Sequence, residues 1–176
     1  MAVPVPDGIP DETAAQLLAM PLSAIALFDD LHVAAGDWMA QNAANGAVGR
    51  TLTAVARVVD SVCDANSLEL NGLLGPGGED VVFGALARQA LCLNPGALIF
   101  AQTRVRGFWM NAWMVEASAE AKRSAIERCM RMALAGELHL PVAATYAFAG
   151  AAEALRPAER PRNGKIMFSA SGLHRA

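Results

Sequence analysis

The chain has 176 residues, 54% of them hydrophobic and 18% charged, with a formal net charge of -3 and a mean hydropathy of +0.30. That length and composition suit one well-buried domain and exclude a disordered chain, and the scattered basic residues leave no electrostatic footprint for nucleic acid. The longest apolar stretch, Ala14 to Phe28, is interrupted by Gln16, Pro21 and Ser23 and falls short of a membrane span, while Asp7, Asp11 and Glu12 stand where a secretory signal is basic, so a soluble, cytoplasmic protein is expected.

Pro4, Pro6 and Pro10 make residues 1–10 an extended segment, after which Asp11 is expected to cap a helix. Leu18, Leu22, Ile25 and Ala26 recur at helical spacing, and Pro21 should split this stretch into two helices near Met20. Asp37 to Asn42 is extended and largely apolar, and reads as a strand. Arg50 to Arg57 reads as a helix with Leu52, Val55 and Ala56 on one face. A strand at Val58 to Val62, a helix at Ala65 to Leu74 and, after a turn at Gly75 to Gly78, a strand at Glu79 to Gly84 complete a βαβαβ order. Leu98 to Ala101 is a short apolar run and Arg104 to Trp109 a further strand. Ser118 should cap a long helix ending at Gly136, its core face formed by Ile126, Cys129, Met130, Ala133 and Leu134. The tail carries a strand at Val142 to Phe148, a helix at Ala149 to Leu155 and a strand at Lys165 to Ser169.

Between the first strand and its helix lies Gln41-Asn42-Ala43-Ala44-Asn45-Gly46-Ala47-Val48-Gly49-Arg50, an AxGxxG dinucleotide fingerprint in the strand-to-helix setting it requires. Gly46 lets the backbone approach a pyrophosphate, Gly49 permits close packing of helix on strand, and the free N–H groups of the helix start face the phosphates. A Gly-rich turn without a ligand would use the same residues. Elsewhere the chemistry is sparse. Cys63, Cys92 and Cys129 are odd in number and lack CxxC spacing, which suits reduced, buried thiols, and His32, His139 and His174 stand alone, so no metal site is expected. HExxH, GxSxG and GKS/GKT patterns do not occur.

The QNAANGAVGR loop, followed by Arg106-Gly107-Phe108-Trp109-Met110, resembles the cofactor domain of the medium-chain reductases, in their enoyl thioester (enoyl-CoA) and quinone reductase branch. The likeness continues through Leu74-Gly75-Pro76-Gly77-Gly78, Val81-Val82-Phe83-Gly84-Ala85-Leu86 and Gly164-Lys165-Ile166-Met167-Phe168. It implies an α/β fold: a shortened Rossmann-like parallel sheet with helices on both faces and a small C-terminal αβ tail. The corresponding divisions are an opening segment with helices at 1–36, the dinucleotide-binding domain at 37–140 and the tail at 141–176.

What the resemblance implies for the site is a zinc-independent oxidoreductase using NADPH, NADH not being excluded. Asn45, Gly46, Ala47, Val48 and Gly49 would hold the phosphates. Phe83, Gly84, Ala85 and Leu86 would border the nicotinamide and its ribose, with Phe108, Trp109 and Met110 beyond the next strand and Lys165 reaching in from the tail. Phe83 and Leu86 could equally be core, Trp109 an interface anchor and Lys165 a solvated strand end. Met20-Pro21 stands where some relatives have a cofactor-touching Asn-Pro.

Measured against that family, the chain starts near its passage into the cofactor domain, and Arg57 runs without a turn into Val58-Val59-Asp60-Ser61-Val62, which resembles the fourth strand. The second and third strands are therefore expected to be missing, and with them the residue that distinguishes NADH from NADPH; Asp60 and Asp64 are not that acid. No catalytic residue is assigned. Tyr146, the only tyrosine, is better read as a half-buried aromatic than as an acid. Two functions follow: part of an NADPH-dependent reductase of α,β-unsaturated thioesters or quinone-like acceptors, or a catalytically silent nucleotide-binding or dimerisation module. Four parallel strands with incompletely covered faces suggest a homodimer through the Arg104 to Trp109 edge.

Overall fold

The computed structural model describes residues 3–32, 40–42, 60, 62–64, 66–158 and 163–170. The glycine loop beyond Asn42, with Asn45, Gly46, Ala47, Val48 and Gly49, and the helix expected from Arg50 to Arg57 lie outside the described residues.

Two helices, α1 (Asp11–Leu17) and α2 (Met20–Asp30), follow the extended opening. The break falls where Pro21 requires it. Pro21 occupies the first turn of α2, where the N–H it lacks would have no helical partner anyway. Asp11 is not the cap: it is the first residue of α1, behind Pro10, and lends its charge to the helix start together with Glu12. Helix α2 is apolar all round because two cores share it. On one side Leu22 and Ile25 join Leu17, Ala125, Cys129 and Met130; on the other Ala24 and Leu27 pack on Val81.

Chain order continues with α3 (Asn66–Gly72), β1 (Glu79–Val82), α4 (Pro95–Phe100), β2 (Arg104–Gly107), α5 (Met110–Glu116) and α6 (Ala119–Leu134). It ends with β3 (Val142–Ala147), α7 (Ala151–Ala158) and β4 (Lys165–Ser169). The run at Leu98 to Ala101 is largely helical, since Pro95 sits in the first turn of α4 and the Asn94 side chain accepts from the Gly96 N–H at 2.8 Å. Ser118 caps α6 as expected, its Oγ accepting from Ala121 N–H at 3.0 Å. The core face of α6 is turned slightly from the expected one. Ala125, Cys129 and Met132 are buried at i, i+4 and i+7, Ile126 and Ala133 lie at the margin, and Leu134, 51% exposed, is outside it.

Parallel pairing joins Glu79 to Arg104, Asp80 to Val105, Val81 to Arg106 and Val82 to Gly107, and on the other side of β1 an isolated parallel bridge joins Asp60 to Val82. Asp60 N–H donates to the Val81 carbonyl at 3.1 Å and Phe83 N–H to the Asp60 carbonyl at 3.0 Å. The spatial order is thus Asp60, β1, β2, all running the same way. A single sheet of four strands is not what the described residues form. β3 and β4 make a second parallel pair, linked through α7, which packs on both. The first sheet is fastened to α2 by Arg106, whose guanidinium is shared between Asp30 and Glu79. Among the described residues, no helix is long and apolar enough to cross a membrane.

Candidate functional site

Alternation along β1 sorts the sheet into two faces. Val81 and Phe83 point toward α2, and Phe108 joins them there. Asp80 and Val82 therefore point to the opposite face, as does Asp60, which is paired with Val82. On that face Asp60 is fully buried and collects four donors. Its Oδ1 accepts from the backbone N–H groups of Val62 (2.9 Å) and Cys63 (3.0 Å) and from Asn42 Nδ2, and its Oδ2 accepts from Ser67 Oγ. Burial alone would raise this carboxyl, but the hydrogen bonds outweigh it and hold Asp60 below the ordinary carboxylate range.

The four donors come from three places in the chain. Asn42 stands at the mouth of the glycine loop. Val62 and Cys63 form the turn after the Asp60 bridge, and Cys63 takes a left-handed backbone with φ 54. Ser67 lies in the first turn of α3, where its Oγ also accepts from Asp64 N–H at 3.1 Å while its own N–H donates to the Asp64 carbonyl. Ser67 thus binds back to the chain just before α3 through both its hydroxyl and its N–H. The turn is fastened in turn to the segment after β1: Ala87 N–H donates to the Val62 carbonyl at 2.9 Å and the Cys63 thiol to the Gly84 carbonyl at 3.1 Å.

Asp80 is the counterexample. It is 1% exposed, and neither carboxylate oxygen has a hydrogen-bond partner among the described residues. Burial first, and the neighbouring Asp60 charge second, push its pKa up to about 6.

The expected site residues separate into three groups. Phe83 and Gly84 to Leu86 leave the carboxyl end of β1, and Phe108 to Met110 leave that of β2; Phe108 N–H donates to the Val82 carbonyl at 2.8 Å, which holds the two segments side by side. Within them Phe83, Phe108 and Met110 direct their side chains into the cores, whereas Ala85, Leu86 (72% exposed) and Trp109 (68%) face outward. Lys165 opens β4 in the second parallel pair, opposite Val142. The phosphate-loop set lies outside the described residues. The carboxyl ends of parallel strands are where open α/β sheets bind ligands, and here that edge carries Asn42, Cys63, Gly84 and Trp109.

Sequence reasoning missed Ser67 and the Cys63 contact to Gly84. A serine in the opening turn of an expected helix, where hydroxyls bond nearby backbone, was the available signal for the first; nothing local marked the second. The thiols are not uniformly buried either: Cys63 and Cys129 are, but Cys92 is exposed, on the loop before α4. Among the described residues, no group of three or more His, Cys, Asp or Glu could hold a metal ion. Tyr146 lies on β3 opposite Phe168, half-buried.

No family model matches the chain. Curated relatives do. The mitochondrial enoyl-[acyl-carrier-protein] reductase of Mus musculus is 29% identical over 96 residues, covering 54% of this chain and 26% of that protein. The Homo sapiens protein of the same name is 22% identical over 214 residues, covering 90% of this chain and 57% of its own. The chain therefore spans about a quarter of the first relative and little more than half of the second. Because the human match is longer than this whole chain, part of that relative has no counterpart within the matched span.

Among solved structures, a Mesorhizobium loti protein assigned as an NADPH:quinone reductase superposes with a TM-score of 0.80 at 18% identity, over 94% of this chain and 62% of that one. A mitochondrial 2-enoyl thioester reductase heterodimer from Candida tropicalis superposes with a TM-score of 0.70 at 17% identity, over 88% and 60%. These likenesses show the fold: α/β and Rossmann-like.

Proposed function

We propose, from the premise that the chain is related to the medium-chain enoyl thioester and quinone reductases, that it is a dinucleotide-binding portion of such an enzyme, taking a reduced nicotinamide dinucleotide, NADPH or NADH. The observation that carries this reading is the edge where Asp60, β1 and β2 end together, with the segments after β1 and β2 joined by Phe108 N–H on the Val82 carbonyl and with Asn42 tied to Asp60. Asn45, Gly46, Ala47, Val48 and Gly49 would take the phosphates on their backbone N–H groups. Gly84, Ala85, Leu86 and Trp109 would flank the nicotinamide end, while Phe83, Phe108 and Met110 anchor those segments in the cores; Lys165 is a further contact from the tail. A bound nicotinamide supplies hydride to an α,β-unsaturated thioester or quinone-like acceptor. The proton for the other carbon comes from outside this chain's assigned residues, so turnover requires a further protein portion.

This reading gives a direct test. A hundredfold excess of NADPH over its Kd should stabilise the full chain by about 2.7 kcal/mol and raise its melting temperature by several degrees. No oxidation of NADPH by a crotonyl thioester is expected from the chain alone. A melting temperature unmoved by either reduced dinucleotide would contradict the reading.

A second reading, a dimerisation module without catalysis, is favoured by the free side of β2. Among the described residues no strand pairs there, and Phe100 (87% exposed), Ile99, Trp109 and Val115 lie exposed around it. Light scattering at micromolar concentration should give twice the 18.4 kDa chain mass; a monomer would contradict pairing of this edge.

A further inference from the structure

The dinucleotide reading leaves open what keeps its two halves in register, since the phosphate loop starts beyond Asn42 while the ring-side segment starts beyond Val82. The answer lies in a buried carboxylate that touches neither. Asp60 accepts from Asn42 Nδ2 and, through the same oxygen, from the Val62 and Cys63 N–H groups. The turn so formed grips the ring-side segment at both ends: Phe83 N–H on the Asp60 carbonyl, Ala87 N–H on the Val62 carbonyl, and the Cys63 thiol on the Gly84 carbonyl.

We propose that Asp60 is a positioning residue of the dinucleotide site: its carboxylate ties Asn42, at the mouth of the phosphate loop, to the Phe83 to Ala87 segment beside the nicotinamide. Four donors on one buried anion make a rigid junction, because releasing any one of them leaves part of a buried charge unsatisfied. Two of the donors are backbone groups, so the junction fixes chain path as well as side chains. The fourth, Ser67 Oγ, comes from α3 and binds the other carboxylate oxygen, Oδ2, whereas Asn42 and the two amides share Oδ1. This division separates a positioning role from a purely structural one.

The inference rests on the dinucleotide reading, and the test separates the two. Three variants of the full chain are compared by NADPH titration and thermal melting. Asn42→Ala cuts the tie to the phosphate loop and should weaken NADPH binding about tenfold, the equivalent of one charge-assisted hydrogen bond. Ser67→Ala removes the Oδ2 donor and should lower the melting temperature while leaving the Kd within about twofold. Asp60→Asn keeps an acceptor oxygen for the amides and for Asn42, and should stay within about threefold of the parent. Equal Kd values for Asn42→Ala and Ser67→Ala, with only their melting temperatures lowered, would overturn the proposal.

If the parent itself fails to bind NADPH or NADH, the cofactor reading falls, and the junction is judged by amide hydrogen exchange. Exchange at Ala87 should then be at least about fivefold faster in Asn42→Ala than in Ser67→Ala, the opening of the junction being local. Equal rates would overturn the tie as well.

Discussion

Asp80→Asn is expected to stabilise the chain by about 2–3 kcal/mol near pH 8 and to change its stability little near pH 4. Asp80 has no hydrogen-bond partner for either oxygen among the described residues and sits beside the charge of Asp60, which with burial raises its pKa from 3.8 to about 6. The folded protein therefore prefers the protonated acid. As pH rises from about 4 the unfolded chain releases this proton first, and stability falls until the folded pKa near 6 is passed. Above that, the full cost of ionising a buried, unpaired carboxyl remains. An asparagine has nearly the same shape and never ionises, so it removes the cost only where the cost exists. In a chain of this length the gain near neutral to alkaline pH corresponds to roughly 5–10 °C in melting temperature. Thermal melts of both proteins across this range check it. An Asp80→Asn shift that is the same at both ends would mean that Asp80 is not held neutral by the fold. Asp60 has the opposite sign: its pKa is lowered, so its contribution is present above the ordinary aspartate range and is lost as pH falls.

Gly164→Ala should destabilise the β3–β4 pair by about 3 kcal/mol or more. Gly164 has φ +117, a conformation that residues with a Cβ rarely adopt, and an added Cβ would lie 2.6 Å from the Pro141 carbonyl oxygen and 2.8 Å from the Ala143 nitrogen. Both obstacles are backbone, so no side chain can swing aside. The same place is where Lys165 N–H donates to the Pro141 carbonyl at 2.9 Å and pairing of the two strands begins. Losing it would displace Lys165 and open the pair on which Phe148 and Phe168 stack, 5.8 Å apart. Circular dichroism melts should show the loss, and a variant that melts within about 2 °C of the parent would contradict this account of the turn.

Much of the architecture was legible because its signals are local. Pro21 placed the break between α1 and α2, Ser118 placed the start of α6, and Lys165 to Ser169 proved to be a strand with the expected ends. Gaps and misreadings arose where local pattern and tertiary demand part company. Leu98 to Ala101 is an apolar run too short to show a period, so sequence assigns it no element, and the Asn94-Pro95 cap makes it largely helical. Leu134 fits the helical spacing of α6, yet α1 and α2 cover the face centred on Ala125 and Cys129. The segregation of β3 and β4 into a separate pair depends on contacts far apart in sequence, which no window of residues reports.

Candidate site residues divide in the same way. The segments Phe83 to Leu86 and Phe108 to Met110 were legible as motifs, and the structure brings them together at neighbouring strand ends. The roles of their side chains were not legible, since Phe83, Phe108 and Met110 turn inward. Asp60 was read from sequence only as not being the ribose-binding acid. Of its actual partners, the Val62 and Cys63 amides are local to its own turn, whereas Asn42 and Ser67 are brought to it by the fold. Asp80 shows the reverse: a charged residue in an apolar strand was visible in the sequence, but its lack of any partner among the described residues was not.

The central claim is that this chain binds a reduced dinucleotide through the loop at Gly46. Titration of the purified chain with NADPH, followed by the fluorescence of the reduced cofactor, addresses it most directly, with Gly46→Asp as the matched variant whose carboxylate would meet the phosphates. Saturable binding by the parent, lost in Gly46→Asp, is the predicted result. Absence of binding, or equal binding by Gly46→Asp, would contradict it.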